Sequence, residues 1–145
     1  MATVNQILAD KGDRVWVVDR EATVLDAAKM MNEQKVGALV ITDEHHVVLG
    51  IFSERDVLRR VVAKGIDPGV VKVGHVMTDE VICTKGKTDL EEARGICMSR
   101  RVRHLPVVDD EGKLQGLISI GDLNAWDLSG HKRTIHYLHE YLYGT

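Results

Sequence analysis

Aromatic residues make up only 4% of the 145-residue sequence, there are two cysteines, and neither sign of charge dominates. Cys83 and Cys97 stand in apolar stretches without the close C-x-x-C spacing that metal or redox pairs use, so they are expected to be buried thiols in a reducing compartment. The net charge of -3, from 19 basic and 22 acidic residues, supplies no general attraction for a polyanion. With so few aromatic rings to stack on bases, the chain is a poor fit to a nucleic-acid binder. No apolar run approaches the ~20 residues of a membrane span. The start, "MATVNQILADKGD", has no basic leader followed by an apolar run, and a cytoplasmic protein is expected.

Catalytic signatures are missing too. "GKT" at Gly86–Thr88 would need a glycine five positions earlier to make a phosphate loop, and Val81 stands there. No G-x-S-x-G elbow and no H-E-x-x-H helix occurs, so neither catalytic residues nor a metal site are expected. His136, His139 and Glu140 share a terminal stretch with Ile135, Leu138 and Leu142, and that apolar stripe favours a docking helix over a metal site. Tyr137, Tyr141 and Tyr143 add to its amphipathic character, and His45 and His46 are expected to be solvated in a turn.

What the chain does have is an internal repeat. The stretch from Thr23, "TVLDAAKMMNEQKVGALVITDEHHVVLGIFSERDVL", aligns with "TDLEEARGICMSRRVRHLPVVDDEGKLQGLISIGDLN" from Thr88. Each copy reads as a strand ("VWVVD", "VICT"), a helix opened by a capping threonine, two strands around a polar turn, and a second helix ("ERDVLRRVVAKG", "IGDLNAWDL"). On the first helices the apolar faces are Leu25, Ala28 and Met31, and Leu90, Ala93 and Ile96. The expectation is an α+β protein of two βαββα repeats related by a pseudo-twofold axis. Its segments are 1–14 as an N-terminal segment, 15–72 and 73–128 as the repeats, and 129–145 as a C-terminal amphipathic helix. A unit of this size is marginal alone, so the copies should cover each other and leave a cleft, a common place for small ligands.

The third strands end in "GIFSERD" (Gly50–Asp56) and "GLISIGD" (Gly116–Asp122). Ser-x-x-Asp at a strand-to-helix junction is a capping pattern, with Ser53 or Ser119 accepting an N–H and Asp56 or Asp122 in the first turn.

From Val15 to Leu128 the chain resembles the tandem cystathionine β-synthase (CBS) domain pair, the Bateman module. The likeness rests on the paired G-x-x-S-x-x-D heptads, on "RHLPVVDDEGKLQGLIS" and on "HVMTDEV". It implies a regulatory module that binds AMP, ADP, ATP, NAD(H) or S-adenosylmethionine and dimerises. On that likeness Asp56 and Asp122 hold ribose hydroxyls, Ser53 and Ser119 lie near phosphate, and Thr23 and Thr88 open helices near the site. "EAT" lacks the proline the family writes before Thr23. The chemistry is compatible: a helix start seats phosphate, and an ionised carboxylate accepts both hydroxyls of a vicinal diol.

The two sites are not expected to be equal. Arg55 lies in the first heptad where Gly121 lies in the second, and "SRRVRHLP" carries Arg100, Arg101, Arg103 and His104 against the neutral "EQKVGALV" of the first copy. The resemblance implies that basic residues before this strand reach phosphate, and Arg103 and His104, helped by Arg55, are accordingly expected at the phosphates of a nucleotide at Asp56, leaving the Asp122 site for a less charged ligand or empty; the alternative is a solvated basic turn. The expected function is a non-catalytic sensor, a homodimer that signals to a protein effector. The alternative is a dimerisation scaffold with no physiological nucleotide.

Overall fold

A computed structural model describes residues 2–12 and 15–129; the histidines and tyrosines of the terminal stretch lie outside the described residues. In chain order the elements are α1 (Val4–Lys11), β1 (Val17–Val18), α2 (Val24–Gln34), β2 (Ala38–Thr42), β3 (Val48–Ser53), α3 (Glu54–Asp56), a π-helical turn (Val57–Val62), α4 (Val73–Val76), α5 (Leu90–Arg100), β4 (His104–Val108), β5 (Leu114–Ser119) and α6 (Ile120–Ser129). They form two compact units. Val15–Val81 is one, and the described residues before Arg14 join those from Ile82 onward in the other.

In the unit of Val15–Val81, β2 lies between β1, parallel to it, and β3, antiparallel. Ala38 to Ile41 are buried on both faces of the sheet, while β3 turns Gly50 and Phe52 inward and its other residues are only partly covered. Against this sheet α2 buries Val24, Ala27 and Met31, joined in the core by Val61, Val73 and Val76. Helix α2 starts where expected: Thr23 Oγ1 accepts the Asp26 N–H at 3.1 Å. Its buried face is one residue out of step with the expected Leu25 and Ala28, and Leu25 is 39% exposed. Both stripes satisfy the 3.6-residue period. The tie is broken by Val24 N–H bonding to Val71 O at 3.0 Å, a contact across the unit that fixes the helix's rotation.

In the other unit β4 pairs antiparallel with β5, with the same slip of register near its end as β2–β3, at Val107/Val108 and Ile41/Thr42. The expected strand "VICT" shortens to one parallel bridge, Thr84 to Val107. Helix α5 buries Leu90, Ala93 and Cys97, so Cys97 takes the place expected of Ile96, which is only partly buried. Its cap is Asp89, whose carboxylate accepts the Glu91 N–H at 2.8 Å; Thr88 Oγ1 instead accepts from Lys85 N. Cys97 is buried as expected, but Cys83 is only half-buried. Burial pushes both thiols above their ordinary pKa.

Val4, Ile7 and Leu8 of α1 belong to the same core as β4, β5 and α5. An eight-residue helix is marginal in water, and burying side chains of this size contributes ~1.5–3 kcal/mol each, so packing holds α1 in place. Its backbone contacts repeat those made by Val71 to Gly74. Val4 N bonds Thr88 O and Leu90 N bonds Ala2 O; likewise Val73 N bonds Ala22 O and Val24 N bonds Val71 O. Residues 2–5 thus do for α5 what residues 71–74 do for α2. Each repeat is completed by the segment preceding the other one.

The stretch after the first heptad is not one regular helix. After the single turn of α3, Ala63 N reaches back five residues to Leu58 O, and "VLRRVV" runs as a π-helix, a form often found at functional sites. The matching residues of the second copy form the regular α6.

Candidate functional site: the paired heptads

In the first heptad, β3 delivers Ser53 in extended backbone and α3 begins at the next residue. Ser53 Oγ accepts the Asp56 N–H at 3.3 Å, while Asp56 Oδ2 accepts from Ser53 N at 3.0 Å and from Ser53 Oγ at 3.3 Å. This is the reciprocal capping arrangement, with the aspartate's second oxygen turned elsewhere. Oδ1 meets Thr78 Oγ1 at 3.4 Å and Arg60 Nε at 3.5 Å. Arg60 also donates to the carbonyls of Met77 (3.0 Å) and Val76 (3.3 Å), tying the π-turn to the end of α4. Thr78 is itself held by a two-way backbone bridge with Ile51 of β3. The Asp56 side chain is 13% exposed, and Arg60 beside it is 46% exposed.

The second heptad repeats the cap but not its surroundings. Ser119 Oγ accepts the Asp122 N–H at 3.1 Å, and Asp122 Oδ2 accepts from Ser119 N at 2.9 Å. The same oxygen receives Lys11 Nζ from α1 at 2.6 Å, and Lys11 also donates to Leu117 O at 3.1 Å. Asp122 is 6% exposed and Lys11 26%.

Arg103 stands beside this second heptad, where its carbonyl accepts the Ile120 N–H at 2.9 Å, as Gly37 O accepts from Glu54 N at 3.0 Å in the first copy. Its side chain is exposed, and half-buried His104 is the strand partner of Ser119. Arg55 is exposed next to Asp56. The hydroxyls of Thr23 and Thr88 are both engaged by backbone N–H groups, Asp26 and Lys85. Among the described residues, no group of three or more His, Cys, Asp or Glu could hold a metal ion, and no helix is long and apolar enough to cross a membrane.

Three residues of these sites had no part in the sequence reading. Arg60 could have been found, since it lies four residues after Asp56 on the same helical stretch and suits an i,i+4 ion pair. Thr78 sits in the quoted "HVMTDEV" but touches Asp56 only through the return of the chain to β3. Lys11 gave no local signal, because the segment carrying it folds onto a strand more than a hundred residues away.

Comparison with known proteins agrees with the duplicated architecture. The family model described as the CBS domain matches twice, at residues 9–63 and 73–128. The chain is 33% identical over 150 aligned residues to a mitochondrial CBS domain-containing protein of Arabidopsis thaliana, covering 98% of this chain and 72% of that one. It is similar to the solved structure of a protein with CBS domains from Burkholderia ambifaria, 37% identical, with a TM-score of 0.81 over 89% of this chain and 95% of that one. The CBS domain pair of protein MJ0100 is 20% identical, with a TM-score of 0.81 over 90% of this chain and 99% of that one, a likeness of fold alone. Two matched domains, one duplicated sheet-and-helix unit and a Ser-x-x-Asp cap at each third strand place this chain in the CBS domain family, as a tandem pair.

Proposed function

We propose that this CBS pair is a non-catalytic sensor that binds an adenosine-containing ligand, with Asp56 accepting the ribose hydroxyls. The observation carrying this reading is the state of the Asp56 carboxylate. One oxygen completes the cap of α3, while the other, among the described residues, has contacts at 3.4 and 3.5 Å. A diol offering two O–H donors makes shorter, charge-assisted bonds there. Arg60 beside Asp56 is nearly half exposed and spends its short hydrogen bond on the Met77 carbonyl rather than on the carboxylate. Ser53 and Ser119 sit at helix starts suited to phosphate, and Arg55, Arg103 and His104 are assigned to phosphate charge. The MJ0100 pair, which shares this fold, was solved in complex with 5′-methylthioadenosine and S-adenosylmethionine, which supports an adenosine ligand.

The candidates are AMP, ADP, ATP, NAD(H) and S-adenosylmethionine. Ligand binding shifts the balance between two arrangements of a cytoplasmic homodimer, and a protein effector reads that shift. A scaffold that uses the pair only for dimerisation is the competing reading. A thermal-shift panel of the candidates separates the two. A ligand at 100-fold excess over its Kd stabilises the folded chain by about 2.7 kcal/mol, raising Tm by several degrees. No shift with any of them rejects the sensor.

A further inference from the structure

The two heptads share one capping geometry, yet a different cation faces each carboxylate. Asp56 meets Arg60, four residues along its own chain stretch, at 3.5 Å and with nearly half of the arginine in solvent. The position matching Arg60 in the second copy, 66 residues on, is Trp126, which carries no charge. Lys11 stands in for it from α1, at 2.6 Å from Asp122, in a less exposed pair.

The difference follows from how far each completing helix runs. Helix α4 stops at Val76, and the chain then extends through Met77 and Thr78 along β3, so Asp56 receives only a hydroxyl from that side. Its counterpart α1 continues as helix to Lys11. The longer helix carries an ammonium to the β5–α6 junction, where Leu117 O takes a second of its N–H bonds. A ribose diol and an ammonium satisfy a carboxylate in the same way, by donating to its oxygens. The ammonium also brings full charge, and a ligand displacing it must break a close, largely buried ion pair.

We infer that Lys11 closes the Asp122 heptad to ribose, making the chain a one-ligand module whose nucleotide sits at Asp56; the inference rests on the sensor reading above. Isothermal titration with AMP and with ATP tests it. The wild-type chain binds one equivalent, and Asp56→Ala leaves no site of comparable strength. Lys11→Ala, or Lys11→Gln if the alanine variant does not fold, gains a second equivalent. Adding Asp122→Ala to that variant returns it to one. Two equivalents in the wild type, a full-strength site surviving in Asp56→Ala, or a folded Lys11 variant that still binds one would each overturn the inference and leave the sensor reading standing. If none of AMP, ADP, ATP, NAD(H) and S-adenosylmethionine, titrated in the same way, binds any variant, the sensor reading fails and this inference with it.

Discussion

Leu8 of α1 occupies the space that a side chain on Gly116 would need: its Cδ2 lies 2.7 Å from where a Cβ would be. Gly50, the matching glycine of the first heptad, yields in the same way to Met77 and to the carbonyl of Thr78, 2.9 Å from its Cβ position. The two heptad glycines are therefore docking points, each for the segment that completes its repeat.

Substituting them should be costly to different degrees. Gly116→Ala meets a flexible leucine and should lose ~1–3 kcal/mol, the range for overpacked sites. Gly50→Ala meets backbone in addition and should lose more. Urea unfolding of both variants checks the order; equal stability of Gly50→Ala and the parent would contradict it.

Helix α1 should behave as core rather than as a tail. Ile7 is fully buried, so Ile7→Ala should cost ~2–5 kcal/mol. The accompanying rise in hydrogen exchange should concentrate in β5 and α5, the partners of α1 in one core, rather than in β2 and β3.

Much of this architecture is written locally. The helix at Thr23, the hairpins "ALVIT"–"VLGIFS" and "HLPVV"–"LQGLIS", and the Ser-x-x-Asp caps depend on residues within a few positions of one another, so pattern and propensity reach them. The failures share a cause. The Leu25 face and the strand at "VICT" were both decided by long-range contacts: Val24 to Val71 and Thr84 to Val107. Lys11 at Asp122 belongs with them. No local window holds both partners of such a pair.

The thiols should differ in access rather than in intrinsic reactivity. Burial raises the pKa of both, so neither carries much thiolate at neutral pH. Cys83, half-buried, should react with a disulfide reagent slowly in the folded protein, and Cys97, 3% exposed, only after unfolding. Peptide mapping of the labelled protein reads the order, and early labelling of Cys97 would contradict the packing of α5.

Acid should weaken the first hairpin through Asp43. Its carboxylate accepts the Val47 and His45 N–H groups across the turn, and these bonds, Val47's foremost, hold its pKa below the ordinary 3.8. A depressed folded pKa means stability that is fully present above the unfolded value and lost as pH falls through the folded one. The wild type should therefore lose stability below about pH 3.8, and Asp43→Asn should show a shallower loss over that window in urea titrations. An unchanged slope would mean that the turn contributes nothing to the acid response.

The central claim is that Asp56 recognises a ribose diol, and the most direct measurement compares ATP with 2′,3′-dideoxy-ATP on the wild type and on Asp56→Ala. A partly buried acceptor left without its hydroxyl donors discriminates between the two, so the wild type should bind the dideoxy compound at least about tenfold more weakly, and the alanine variant should bind the two alike. Equal affinity of the wild type for both compounds would contradict the account.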